Sequence, residues 1–227
     1  MRKARIAAPL LAIGLFSAIF VSSLATRPVS AAPEREHTPC CGPITPAGER
    51  LASTLDGMNV EHLWLSHEHV NWETGEPDKG ADYEGPGKST HCSAFAAAVG
   101  KKLGVYMLRP PEHGQVLLAS AQAKWFHGQE GRDAGWRGVR DAKDAQTLAN
   151  QGDLVVVVYE SPDAHKPGHI AIVRPSGKSR ERLEESGPQI TQAGQQNYIS
   201  TTVKNGFRVH AGAWPDGIRY YMHPLEP

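Results

Sequence analysis

The run "GDLVVVVYE" from Gly152 limits the fold more than any other stretch of this chain. Its apolar, β-branched residues make a buried strand. "GHIAIVRP" from Gly168 is a second run of that kind. "GPQITQAG" from Gly187, "GFRVHA" from Gly206 and "GIRYYMH" from Gly217 read as further strands, each introduced by glycine. Upstream, the periodicity is helical. Between residues 92 and 103 the apolar positions Cys92, Phe95, Ala96, Val99 and Leu103 share one face at about 100° per residue, while Lys101 and Lys102 point elsewhere. Ser89 or Thr90 is placed to cap this helix, and Gly104 to end it in the left-handed conformation. "GQVLLASAQAKWF" (114–126) gives a second helix, "DAKDAQTLAN" (141–150) a third, and Arg50 to Leu55 a short helical turn. Helices first and strands afterwards predict an α+β fold, with N-terminal helices packed on a C-terminal antiparallel sheet.

The first thirty residues do not belong to that fold. Arg2, Lys3 and Arg5 precede an apolar stretch from Ala7 to Leu24 without charge, and Val29-Ser30-Ala31-Ala32 offers small residues to a signal peptidase. Residues 1–32 therefore read as a secretory leader, and the protein as exported, periplasmic or extracellular. No stable membrane anchor is expected, because the apolar run is short and the polar Thr26-Arg27-Pro28 closes it. Cys40, preceded by His37-Thr38-Pro39, does not sit in a lipoprotein processing site. Residues 33–49, with Pro33, Pro39, Pro43 and Pro46, read as an irregular arm. Residues 50–227 are expected to form one domain. Lysine plus arginine equal aspartate plus glutamate at 24 each, so charge points to neither nucleic acid nor an acidic membrane surface. Oligomeric state is not encoded in any pattern here.

Export places three cysteines in an oxidising compartment, and an odd count leaves one thiol unpaired within the chain. Cys40 and Cys41 are adjacent, so they can bridge each other, or one of them can bond Cys92 or another chain. Cys92 opens the best-marked helix. Free N–H groups and the dipole at a helix start favour a thiolate there. A thiol with a chemical task needs a base. Of eleven histidines, His169 is placed best, at the head of the strand His169-Ile170-Ala171-Ile172-Val173. Alternation sets it on the face of Ala171 and Val173, and if that face meets the cysteine helix the imidazole lies beside the thiol. His165, in an exposed connection, is the weaker choice. A neutral amide can hold the imidazole ring. Gln192 ranks first for this, then Gln189 and Asn197.

The blocks "THCSAFAAAVGKKLG", "QGDLVVVV" and "GHIAIVRP" together resemble the motif series of bacterial papain-like cell-wall peptidases and amidases, the NlpC-type and CHAP groups. The resemblance spans roughly residues 88–200. It implies a papain-like fold with Cys92 as nucleophile, His169 as base and Gln192 or a neighbour as the orienting residue. Those families more often carry His, Asn, Asp or Glu in the third position, so glutamine is a departure. The implied reaction is attack of a thiolate–imidazolium pair on an amide, giving an acyl-enzyme. The Cys92 backbone N–H is then one oxyanion donor. Asn71, Trp72 and Tyr83 are candidates for the second, and His91, Gln189 and Asn197 for the substrate's surroundings. The implied substrate is a peptide, in the first place a peptidoglycan stem peptide, and no cofactor is implied.

Other motifs carry less. "GPGKST" lacks the glycine a phosphate loop needs at position 82, which is Asp82, and no apolar strand precedes it. His67, His69 and His91 do not form a zinc spacing. The five tryptophans are expected mainly to pack. Glu112 and His113, in "RPPEHGQ", are placed to line the same cleft, and Lys178 to Glu185 reads as a solvated hairpin loop. Function therefore narrows to an exported cysteine amidase or endopeptidase. The alternatives are a non-catalytic papain-like domain that binds cell-wall fragments or a protein partner, with Cys92 bonded to the Cys40–Cys41 pair, and a cysteine protease or acyltransferase acting on proteins.

Overall fold

The computed structural model describes residues 39–226. The leader and residues 33–38 of the expected arm lie outside them. The first helix, α1 (Pro46–Asp56), starts four residues earlier than the expected domain boundary. Thr45 caps it by accepting the Gly48 N–H, and Pro46 supplies a preset φ at its first position. Then come α2 (Cys92–Lys102), α3 (Leu118–His127), α4 (Gln129–Asp133), β1 (Arg137–Val139), α5 (Ala142–Gln151), β2 (Leu154–Tyr159) and β3 (His169–Val173). The chain ends with α6 (Arg180–Ser186), β4 (Gln189–Gln192), β5 (Tyr198–Thr202), α7 (Val203–Gly206) and β6 (Ile218–His223). The fold is α+β, built on one antiparallel six-stranded sheet in the order β1-β6-β2-β3-β4-β5.

The sheet is covered on both faces, which is why β2 is apolar at every position. Val156 and Val158 of β2, with Ile170 and Ile172 of β3, pack against α2 and α3 through Phe95, Val99 and Phe126. Val155, Val157, Ala171 and Val173 face the other way, onto Ala145 and Ala149 of α5 and onto Phe207. A strand with two buried faces cannot show alternation, so an unbroken valine run is its signature. Gly104 takes φ +74° just past α2, the left-handed stop that its position predicts.

Two segments differ from the sequence expectation. "GFRVHA" is not a strand: Thr202 caps the short α7 by accepting from Asn205, and residues 207–212 turn away from the sheet. The charged stretch expected as a hairpin loop holds α6, capped by Ser179 and anchored by the buried Leu183. Among the described residues no helix is long and apolar enough to cross a membrane.

Candidate active site

Cys92 begins α2, and its side chain is 4 % exposed. Cys40 and Cys41 are bonded to each other, and Cys92 is free. The alternative in which Cys92 bonds that pair is therefore overturned. Neither Ser89 nor Thr90 caps α2. The cap position falls to His91, whose ring turns inward, is 1 % exposed and lies 2.9 Å from the Glu68 carbonyl. The thiol borders a cleft of about 200 Å³ lined by Gly87, Ser89, Thr90, Ser93, residues 115–119, His165 and Pro167.

Burial decides the charge of the sulfur. Desolvation pushes the thiol up to about 11, against the backbone N–H groups of Ile170, Ser93 and Cys92 itself, which favour the thiolate. The expectation of a thiolate set by the helix start is corrected here: a sulfur this deeply buried is a thiol at neutral pH.

His169 is also buried, and it lies on the face opposite α2. Its ring packs on Phe207, with centroids 4.6 Å apart, and stacks on His210 at 4.9 Å. Alternation does place it with Ala171 and Val173, but that face looks onto α5 and Phe207 instead of the cysteine helix. What links the two residues is the backbone, since the N–H of Ile170, next after His169, points at the Cys92 sulfur. No hydrogen bond joins the sulfur to the imidazole among the described residues. Gln192 fixes the ring's tautomer. Its Nε2 donates to the Gln196 carbonyl at 3.1 Å, so the oxygen end of the amide faces His169 Nε2 at 3.0 Å. An amide oxygen only accepts, so His169 Nε2 carries the hydrogen and Nδ1 keeps its lone pair.

Burial, and then the nearby His210, lower His169 to about 4, against the hydrogen bond it donates to Gln192. Burial lowers His91 and His210 in the same direction. An unfolded chain protonates residue 169 near 6.5 and the folded one only near 4, so its contribution is complete above pH 6.5 and is lost as pH falls from 6.5 to 4. That loss is about 3 kcal/mol. Thermal midpoints measured between pH 7 and 4 should fall accordingly, and His169→Gln, which cannot titrate, should flatten that part of the slope.

The remaining sequence candidates are engaged elsewhere. Asn71 accepts from the N–H groups of Glu73 and Thr74, closing a turn. Trp72 carries Lys101 and Arg109 over its ring, while Glu73 and Thr74 border Ala98, Lys101 and Lys102 near the far end of α2 from the thiol. Tyr83 packs edge-on to His69 and donates to the Pro86 carbonyl. Gln189 donates to Ser200 at the opposite end of β4 from Gln192. Asn197 accepts from Gly194 and donates to the carbonyls of Val60, Leu63 and Trp64, tying two loops together. Glu112 and His113 do not border the cleft, but Gln115 from the same stretch does, and so does the exposed His165. Gln115 and His210 were not singled out from sequence. His210 sits in the segment misread as a strand.

No protein-family model matches this chain. No curated protein matches it. The reading of the site therefore rests on its own geometry and on the motif order described above.

Proposed function

We propose that this is an exported cysteine hydrolase of papain-like type, cleaving amide bonds in peptidoglycan stem peptides. The observation that carries the reading is a free cysteine at a helix start, open to a cleft, whose sulfur faces the backbone N–H that follows a histidine held in one tautomer by a glutamine. Export, expected from the leader, and the motif order shared with NlpC-type and CHAP enzymes support the substrate.

Both side chains start neutral, so the chemistry is general-base attack and not attack by a resting ion pair. The His169 Nδ1 lone pair takes the thiol proton as the sulfur adds to the carbonyl carbon. This step requires the imidazole to leave the face it occupies against Phe207 and His210 and come within hydrogen-bond reach of the sulfur. In the resting site the hydrogen bond to Gln192 keeps Nε2 protonated, which leaves Nδ1 as the basic nitrogen. The oxyanion meets the Cys92 backbone N–H. The imidazolium then protonates the leaving amine, and afterwards the neutral ring activates water against the thioester. Digestion of purified peptidoglycan by the wild type and by Cys92→Ala, with fragments identified by mass, tests this. New amine and carboxylate ends from the wild type alone are expected, and equal digestion by both proteins would end the reading.

A further inference from the structure

The cleft beside Cys92 has a chemical character that restricts what can enter it. Its volume of about 200 Å³ equals the share of roughly six or seven waters, below the range of drug-sized sites. Val116 to Ala119 and Pro167 make up the apolar part of its lining. The polar side chains on its border are Ser89, Thr90, Ser93 and Gln115, all neutral, and the only titratable one besides the thiol is His165. Among the described residues that line it there is no carboxylate, ammonium or guanidinium to meet an entering charge.

A buried group behind the cleft shows how Gln115 is held. The Glu68 carbonyl only accepts, so His91 Nε2 carries the hydrogen and Nδ1 is an acceptor. That Nδ1 is buried without a partner. The Gln115 side chain stands beside this ring. A buried acceptor without a donor is costly, and the Gln115 amide has two hydrogens to offer. Gln115 therefore stands between this ring and the cleft that it lines.

We propose that this cleft is the subsite for a small, uncharged residue on the acyl side of the scissile amide, with Gln115, steadied by His91, donating to the substrate carbonyl. The proposal rests on the hydrolase reading, and it names the substrate residue which that reading leaves open. A charged side chain would give up its water here for an apolar wall and no counter-ion.

N-acetyl amino aldehydes test the subsite without a natural substrate. The thiol adds across the aldehyde: one S–C bond forms as the C=O π bond opens, and the thiol proton ends on the new hydroxyl, with no oxidant or reductant. Protection of Cys92 from iodoacetamide, read by intact mass, reports occupancy. The alanine aldehyde should protect at roughly tenfold or more lower concentration than its aspartate and lysine counterparts. Val116 is 64 % exposed, so Val116→Lys should fold, and it should shift the preference toward the aspartate aldehyde. Gln115→Ala should weaken the alanine aldehyde by about tenfold, with protection in each variant referred to its own alkylation rate without aldehyde. Equal protection by all three aldehydes, or by none, overturns the proposal, as does a preference unmoved by Val116→Lys. If discrimination is present but peptidoglycan stays intact, the hydrolase reading falls and the subsite stands.

Discussion

If the proposed hydrolase activity is present, Cys92→Ala should lower peptide cleavage by a factor on the order of 10⁴ or more, and His169→Ala should cost about as much. The two side chains share one task. A buried thiol held up near 11 has almost no thiolate at neutral pH, so without a base it cannot attack. A buried imidazole without the sulfur has nothing to activate. The two losses should therefore not add, and the double variant should be no slower than either single one. His165 supplies the control, because it borders the same cleft but is exposed. His165→Ala should stay within about tenfold of the wild type. Amine release from peptidoglycan, with thermal midpoints measured alongside, decides it. A His165 variant as impaired as the His169 variant would move the base to the loop.

How much of this was legible in the sequence follows from what each residue is exposed to. β2 and β3 could be read because burial on two faces demands apolar side chains at every position. β1 could not: it is three residues at a sheet edge, and Arg137 and Gly138 are exposed. β5 was missed for a related reason, since an edge strand reading Tyr-Ile-Ser-Thr-Thr buries only Thr201. "GFRVHA" misled because Phe207 and Val209 mimic strand alternation, yet Phe207 is fully buried and Val209 is 54 % exposed. The close approach of residue 206 to Gln192 explains the glycine there, as a Cβ at 206 would lie 2.4 Å from the Gln192 oxygen.

The candidate site was legible in its chain order and not in its layering. Alternation fixes which residues of β3 share a face, but no periodicity says which face a distant helix will cover. That choice is made by long-range packing of Phe95 and Val99 against Ile170 and Ile172. Polar residues such as Asn71 and Asn197 look alike in sequence whether they meet a substrate or a backbone. Here the Asn71 oxygen accepts from two neighbouring N–H groups, and the Asn197 amide is bonded to Gly194 and to carbonyls of the Val60–Trp64 loop. The sulfur's protonation was misjudged because a helix start favours a thiolate only while water can reach it, and burial outweighs that term.

Asn150→Ala is expected to destabilise the fold by about 3–4 kcal/mol, a large share of the stability of a domain this size. The residue lies in the last turn of α5 with no exposed surface. Its Nδ2 donates to the Gly42 carbonyl at 3.2 Å and to the Ser176 carbonyl at 3.1 Å, and its Oδ1 accepts from the Ser176 N–H at 2.9 Å and from Gln146 at 3.0 Å. Alanine leaves the Ser176 N–H and two carbonyls without these partners, at a cost of about 1–3 kcal/mol for each one that water cannot reach. Gln146 keeps a second bond, to the Arg174 carbonyl, which limits the damage on that side. The same amide holds the segment carrying the Cys40–Cys41 bond against the loop after β3, so the loss should be uneven as well as large. The thermal midpoint should drop by roughly 10 °C, and limited proteolysis should cut first between residues 39 and 45. A midpoint within about 2 °C of the wild type would mean that the arm is held by the Cys40 and Thr45 backbone bonds alone.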